Sequence, residues 1–210
     1  MTVTVVIPAF NEERYLGGVL EPLVDIKEIS QIIVVSDGST DNTVAVAQAY
    51  SVEVIALSEN IGKGGAMAVG LKRAQEEVVL FLDADLIGLS HHHVQQMIQP
   101  VVTDKADMTI GIFEGGRLAT DMAQAIAPYL SGQRCVKKKW AEQIRDFEKS
   151  GFGAEAALTQ FAMDNDLVVE EVTLTDMSHV MKEEKLGLVR GFAYRMKMYW
   201  EIAKNVRIGG

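Results

Sequence analysis

Apolar residues open the chain in short dense runs separated by longer mixed stretches. Val3 to Ile7, Gln31 to Val35, Val52 to Leu57 and Val78 to Leu82 are rich in Val, Ile and Leu and bounded by Gly, Asp, Asn or Pro, which predicts strands. The segments between them have helical length. In the third, Met67, Leu71 and Ala74 recur at i, i+4 and i+7, as one apolar helix face does. Strands that are apolar throughout and alternate with helices predict an α/β fold, a mostly parallel sheet covered on both faces with right-handed crossovers.

After a fifth strand at Asp107 to Ile110 the rhythm changes. Gly115-Gly116-Arg117 punctuates the chain, a helix is expected from Leu118 to Leu130, and Ser131-Gly132-Gln133-Arg134 breaks it. Lys137-Lys138-Lys139 should open a helix running to Lys149. Gly151-Phe152-Gly153 leads into an expected helix from Ala154 to Met163, then a strand from Leu167 to Leu174 and a last helix from about Leu188 to Asn205. Without repeats, low-complexity tracts or linkers, residues 1–210 read as one domain, with residues 1–110 and 111–210 as its two halves.

Composition narrows the function. The 210 residues carry 20 basic against 29 acidic side chains, a net charge of −9, which argues against general nucleic-acid binding. An apolar share of 48% with 23% charged residues is that of a globular protein. Cys135 is the single cysteine, so no intramolecular disulfide exists and a reducing compartment is expected. No apolar run reaches the roughly 18 residues of a membrane span. Met1 to Ile7 lacks a basic leader and runs into Pro8, so it reads as a buried strand and the protein as cytoplasmic.

The polar residues gather where a parallel sheet binds ligands, past the carboxyl ends of its strands. The first strand ends in Pro8-Ala9-Phe10-Asn11-Glu12-Glu13, the second in Ser36-Asp37-Gly38-Ser39-Thr40-Asp41, the third in Ser58-Glu59-Asn60-Ile61-Gly62-Lys63-Gly64-Gly65, the fourth in Asp83-Ala84-Asp85. Two carboxylates two positions apart at a strand end point the same way and offer hard oxygen to Mg²⁺ or Mn²⁺. An ordinary Asp-rich turn is the plainer reading of those three residues taken alone. Gly62-Lys63-Gly64-Gly65 opens a helix whose free N–H groups and dipole suit a phosphate, although a loop using glycine for its φ explains the segment equally well. Neither a G-x-x-x-x-G-K-[ST] loop nor a G-x-G-x-x-G turn is present, which disfavours P-loop NTPases and nicotinamide dinucleotides.

As a set, Pro8 to Glu13, Asp37 to Asp41, Asn60-x-Gly62-Lys63-Gly64 and Asp83-Ala84-Asp85 resemble the nucleotide-sugar half of family 2 glycosyltransferases with the GT-A fold. The resemblance implies a nucleoside diphosphate sugar donor, a UDP-sugar such as UDP-glucose in preference to a GDP-sugar. It places Pro8, Ala9, Phe10, Glu12 and Asp37 on the nucleoside, and Gly62 and Lys63 near ribose or phosphate. Asp83, Ala84 and Asp85 then serve the ribose and the metal.

The second half is similar to glucosyl-3-phosphoglycerate synthases in Gly115-Gly116-Arg117, Leu130-Ser131-Gly132-Gln133, Gly151-Phe152-Gly153-Ala154-Glu155 and His179-x-x-Lys182-Glu183-x-Lys185-x-Gly187. This implies that Mn²⁺ or Mg²⁺ is held by Asp85 and His179. The acceptor hydroxyl then enters over Gly132, Gln133 and Glu155, and Arg117 grips an anionic acceptor through its bidentate fork. Inversion needs a carboxylate base, for which Glu155 is the candidate; the resemblance points instead to retention, with the donor phosphate taking the proton. Asp85, Lys63 and Glu155 are thus the expected catalytic residues.

Several segments keep two readings. His91-His92-His93 follows Ser90, a good N-cap, and reads as a solvated first helical turn. Lys137 to Lys139 reads as a solvated helix start or as a lid over phosphates. The C-terminal segment mixes Arg190, Arg195, Lys197, Lys204 and Arg207 with aromatic residues, which suits docking on the core or on a second subunit of a homodimer, or else peripheral membrane contact. Two other functions share the nucleotide architecture: a sugar-phosphate nucleotidyltransferase, which wants a basic Gly-rich first loop where this chain has Asn11-Glu12-Glu13, and a catalytically silent nucleotide-sugar-binding protein.

Overall fold

The computed structural model describes residues 1–114, 131–144, 147 and 154–179. The helices expected at Leu118 to Leu130 and Leu188 to Asn205, and with them Arg117, lie outside the described residues.

The first part of the chain winds as the pattern predicts. Strand β1 (Val3–Ala9) leads through helix α1 (Leu16–Leu20) and a 3₁₀ turn at Glu21–Leu23 to β2 (Ile29–Ser36). Then come α2 (Thr43–Gln48), β3 (Glu53–Ala56), α3 (Lys63–Arg73) and β4 (Val78–Phe81). A two-residue strand β5 (Leu86–Ile87), helix α4 (His91–Val102) and strand β6 (Met108–Phe113) follow. The remaining described elements are β7 (Arg134–Lys137), α5 (Lys138–Ala141), α6 (Ala154–Asp164), β8 (Val169–Leu174) and β9 (Ser178–His179).

Seven strands form one sheet in the order β3-β2-β1-β4-β7-β6-β8, and β5 pairs with β9 in a separate two-stranded ribbon. The pairs β1–β2, β1–β4, β2–β3 and β6–β8 are parallel. Successive strand residues face opposite sides, so each apolar run feeds two cores. Val5, Ile7, Val34, Leu80 and Leu82 pack with α1 and α4, whereas Val6, Ile33, Val35, Val79 and Phe81 pack with α3 and α6. Helix α3 lies so close to β1 that a methyl at Gly70 would overlap the Val6 side chain. Strand order turns back between β1 and β4, and this switch point opens a crevice at their carboxyl ends.

Strand β7 departs from expectation. Residues expected to break one helix and open another instead form a strand antiparallel to both β4 and β6, pairing Phe81 with Arg134 and Val78 with Lys137. An antiparallel insertion carries the start of β7 to the edge where β4 ends. The basic cluster is anchored at the opposite edge, where β4 begins: Lys137 Nζ bonds Asp107 Oδ1 at 2.9 Å and Lys138 Nζ donates to the Ala74 carbonyl at 2.7 Å. Of the helix expected to reach Lys149, the structure describes one turn, Lys138–Ala141, entered from the end of β7. The first turn of α4 is not wholly solvated either. His93 is buried, and Ser90 Oγ and His93 form a capping box.

Candidate active site

Three β-strand ends and one helix start meet at the crevice. The first two loops are laced together. The backbone N–H of Asn11 donates to Ser39 Oγ at 3.1 Å, Thr40 N–H donates to Asn11 Oδ1 at 2.8 Å, and Glu12 N–H donates to Thr43 Oγ1 at 2.8 Å. Glu13 N–H reaches Asp41 Oδ2 at 3.2 Å, while Glu13 Oε2 accepts from Asn42 N–H at 2.9 Å. Asn11 takes φ 57°, which an asparagine tolerates because its side chain bonds locally. Pro8 and Ala9 end β1, the Ala9 carbonyl accepts from Asp37 N–H, and Phe10 stands half-exposed at the rim.

Asp37 closes the next loop. Its buried carboxylate accepts from Ile61 N–H at 2.7 Å and from Gly62 N–H at 2.9 Å. These amides precede α3, so the anion sits at the positive end of a helix dipole. The turn also needs glycine at position 62, whose φ is 87°, and at Gly38, where a Cβ would stand 2.6 Å from the Asn60 nitrogen.

Lys63, the first residue of α3, reaches across the crevice. Its ammonium pairs with Asp83 and lies 2.5 Å from Glu155 Oε1. Burial pushes its pKa down, but Asp83 and then Glu155 more than reverse this, so the ammonium is held well above the ordinary lysine value. Asp83 also accepts from Gln133 Nε2 at 3.0 Å, and Gly132 lies against the same carboxylate. Glu155 is 5% exposed in the first turn of α6, and its Oε2 has no hydrogen-bond partner among the described residues.

The metal-binding pair expected from the sequence comes from adjacent strands. Asp85 immediately precedes β5, and in the β5–β9 ladder His179 is paired with Leu86, one position on. Gly88 at φ 82° lets the two segments close up, since a Cβ there would meet the Asp176 carbonyl oxygen at 2.5 Å. Among the described residues no cluster of three or more metal-ligating side chains forms.

Glu155, Lys63, Asp83, Gly132 and Gln133 therefore come together, although they span more than ninety positions of sequence. The resemblance seats Gly132 and Gln133 on the acceptor; the structure seats them on Asp83. Ala84 is buried between the two aspartates. Sequence reasoning missed Arg134, which is 0% exposed immediately behind this group, and His93, which lies at the root of the β5 loop. For Arg134 the available signal was a charged residue leading into the apolar pair Cys135-Val136, the mark of a strand whose first residue is buried for a polar reason.

The family model for glycosyl transferase family 2 matches residues 4–141. A dolichyl-phosphate beta-glucosyltransferase from Drosophila melanogaster is 40% identical over 101 residues, covering 40% of this chain and 31% of that protein. A 4,4'-diaponeurosporenoate glycosyltransferase from Staphylococcus aureus is 32% identical over 102 residues, covering 46% of this chain and 27% of its own. The chain thus spans less than half the length of the curated relatives it matches. Among solved structures, glucosyl-3-phosphoglycerate synthase from Mycobacterium tuberculosis in complex with phosphoglyceric acid superposes with TM-score 0.76 at 25% identity, covering 100% of this chain and 81% of that one. The same enzyme with Mn²⁺, UDP-glucose and phosphoglyceric acid gives 0.71 at 24% identity, covering 96% and 80%.

Proposed function

This chain belongs to glycosyl transferase family 2, and on that premise we propose that it transfers a sugar from a UDP-sugar, UDP-glucose foremost, to a hydroxyl of a small anionic acceptor, assisted by Mn²⁺ or Mg²⁺. The observation that carries the reading is the meeting of Lys63, Asp83 and Glu155 past the end of β4, two residues before Asp85 and the β5–β9 ribbon. The M. tuberculosis enzyme, which matches nearly the whole chain, is solved with UDP-glucose, Mn²⁺ and phosphoglyceric acid, and supports donor, metal and acceptor class together.

The residues divide the work by position. The laced loops at Phe10–Glu13 and Asp37–Thr43 hold the nucleoside, with Asp37 shaping the turn that leads into α3. Asp83, fixed by Lys63 and Gln133, presents its carboxylate to the ribose. A bound divalent cation would be held by Asp85 and His179 and would neutralise charge on the diphosphate. Lys63 remains charged at every working pH and supplies a fixed positive potential where the departing nucleotide gains negative charge. Glu155 offers Oε2 to a hydroxyl of the transferred sugar or of the acceptor, while Arg117 meets the acceptor's anionic group.

The test is incubation with UDP-glucose, Mn²⁺ and 3-phosphoglycerate, following UDP release and the mass of the acceptor. A gain of one hexose on the acceptor, lost in Asp85→Asn and on chelation, is the expected result. UDP-glucose that neither binds nor turns over in the presence of Mn²⁺ overturns the donor assignment.

A further inference from the structure

Lys63, Asp83 and Glu155 reach the crevice from three separate elements, and the contacts among them are unequal. Lys63 opens α3, Asp83 follows β4, and Glu155 lies in the first turn of α6. Helices α3 and α6 pack on the same face of the sheet, through Met67 and Leu71 on one and Ala154 and Leu158 on the other. A protonated lysine has three N–H groups and no acceptor. Among the described residues the Lys63 ammonium pairs with Asp83 and, at 2.5 Å, with Glu155 Oε1, and its side chain is partly exposed to the crevice. Asp83 is engaged at both oxygens, Oδ1 by Lys63 and Oδ2 by Gln133 Nε2 at 3.0 Å. Glu155 is engaged at one. Its Oε2 is buried and has no hydrogen-bond partner among the described residues.

Such an oxygen is unfavourable until a donor reaches it. Its place favours a hydroxyl of the donor sugar over one of the acceptor. The other oxygen of the same carboxylate is one lysine away from Asp83, the carboxylate that the reading above gives to the ribose. We propose that Lys63 is a positioning residue for the sugar end of the donor as well as a charge beside its phosphates: by holding Oε1 it turns Oε2 of Glu155 toward a sugar hydroxyl. The proposal rests on the donor reading above and adds to it a task that charge alone does not perform. A compact ammonium fits between two carboxylates. A guanidinium carries the same charge, but its longer side chain and planar fork do not take the same place. One substitution can therefore separate position from charge.

A double-mutant cycle on the whole chain tests it. Affinities for UDP and for UDP-glucose, each with Mn²⁺, are measured by calorimetry in wild type, Lys63→Arg, Glu155→Gln and the double variant, with a melting temperature for each. The quantity read is the ratio of UDP-glucose to UDP affinity, in which losses common to both ligands cancel. Lys63→Arg should keep most of its UDP affinity and lower that ratio by about tenfold, the size of one hydrogen bond to a charged group. Glu155→Gln should lower the ratio by a similar factor, and Lys63→Arg in that background should lower it no further. Lys63→Gln, which is shorter and neutral, covers the case in which the Arg variant fails to fold: UDP affinity and the ratio should both fall. A ratio unchanged in folded Lys63 variants, or losses in the ratio that add across the cycle, overturn the proposal and leave Lys63 its charge alone. A wild type that binds neither ligand overturns the donor reading, and this assignment with it.

Discussion

Gly132 lies against the carboxylate of Asp83 so closely that a Cβ at position 132 would stand 2.5 Å from Asp83 Oδ1. No side chain fits there unless Asp83 turns away, and Asp83 is the residue that Lys63 and Gln133 both hold. Gly132→Ala should therefore fold with a melting temperature near wild type, because the displaced group is the far end of a side chain at the crevice. Its transfer rate should fall by about tenfold or more, since a shift of about 1 Å in a positioned group has that effect. Rate and melting temperature measured together check this; a variant as active as wild type would refute the contact.

Asp37 should matter for the loop before it matters for any ligand. In Asp37→Ala the Ile61 N–H loses its acceptor, while Gly62 N–H keeps Asn60 Oδ1 at 3.2 Å. One partly buried donor left unpaired costs about 1–3 kcal/mol. Urea unfolding should report that loss, and Asp37→Asn, which retains a carbonyl oxygen, should lose less.

Lys63→Met removes the cation between Asp83 and Glu155 and leaves two carboxylates facing across the gap it filled. Breaking a buried pair costs about 3–5 kcal/mol, and because the Lys63 side chain is about a quarter exposed the expected loss is nearer 2 kcal/mol. Two close carboxylates resist ionising together, so the variant alone should regain stability on acidification toward about pH 5. Melting curves across that range, run beside wild type, decide the matter.

His93 predicts a pH dependence of the opposite sense in the wild type. Burial lowers its pKa below the ordinary value of 6.5, His92 adds to the effect, and the Thr175 and Gly88 carbonyls and Asp176 oppose it without cancelling it. Its Nδ1 accepts from Ser90 N–H at 3.2 Å, which requires the unprotonated nitrogen. The folded state therefore binds fewer protons than the unfolded chain between the two pKa values, and stability falls as pH drops through 6.5 toward the folded value. Below the folded value the loss levels off. His93→Gln should flatten that part of the stability profile as read by thermal unfolding between pH 5 and pH 8.

The parallel half of the sheet was legible because a strand buried on both faces is apolar over most of its length, and β1, the second half of β2 and β4 show that run openly, while the edge strand β3 carries only Val54, Ile55 and Ala56. Boundaries moved by one to three residues: β3 occupies Glu53–Ala56 within the expected Val52 to Leu57, β8 begins at Val169 where Leu167 was expected, and β6 runs to Phe113 where Ile110 was expected. Helix α6, described over Ala154–Asp164, ends one residue past the expected Met163, and the Gly-Phe-Gly approach to it lies outside the described residues. Strand β7 was not legible, because only Cys135 and Val136 of its residues are apolar; Arg134 and Lys137 disguise it as the edge of a helix. The burial of His93 was hidden for a related reason, since one of the carbonyls that receive it comes from Thr175, more than eighty positions away, and the other from the nearby Gly88 turn.

What the sequence determined by itself is local: alternation of apolar runs with helical segments, glycines where the backbone turns, and the residue types that gather beyond each strand. Short-range sterics and the burial of apolar surface are enough to dictate these, so the doubly covered sheet and the acidic edge followed from the chain alone. Which charges would pair was decided only by the tertiary structure. Lys63 opposite Asp83 and Glu155, Arg134 beneath them and His179 beside Leu86 depend on β7 entering antiparallel and on β9 closing onto β5. Those contacts join residues far apart in sequence through strand register, and register is fixed by the packing of the whole sheet, not by any segment within it.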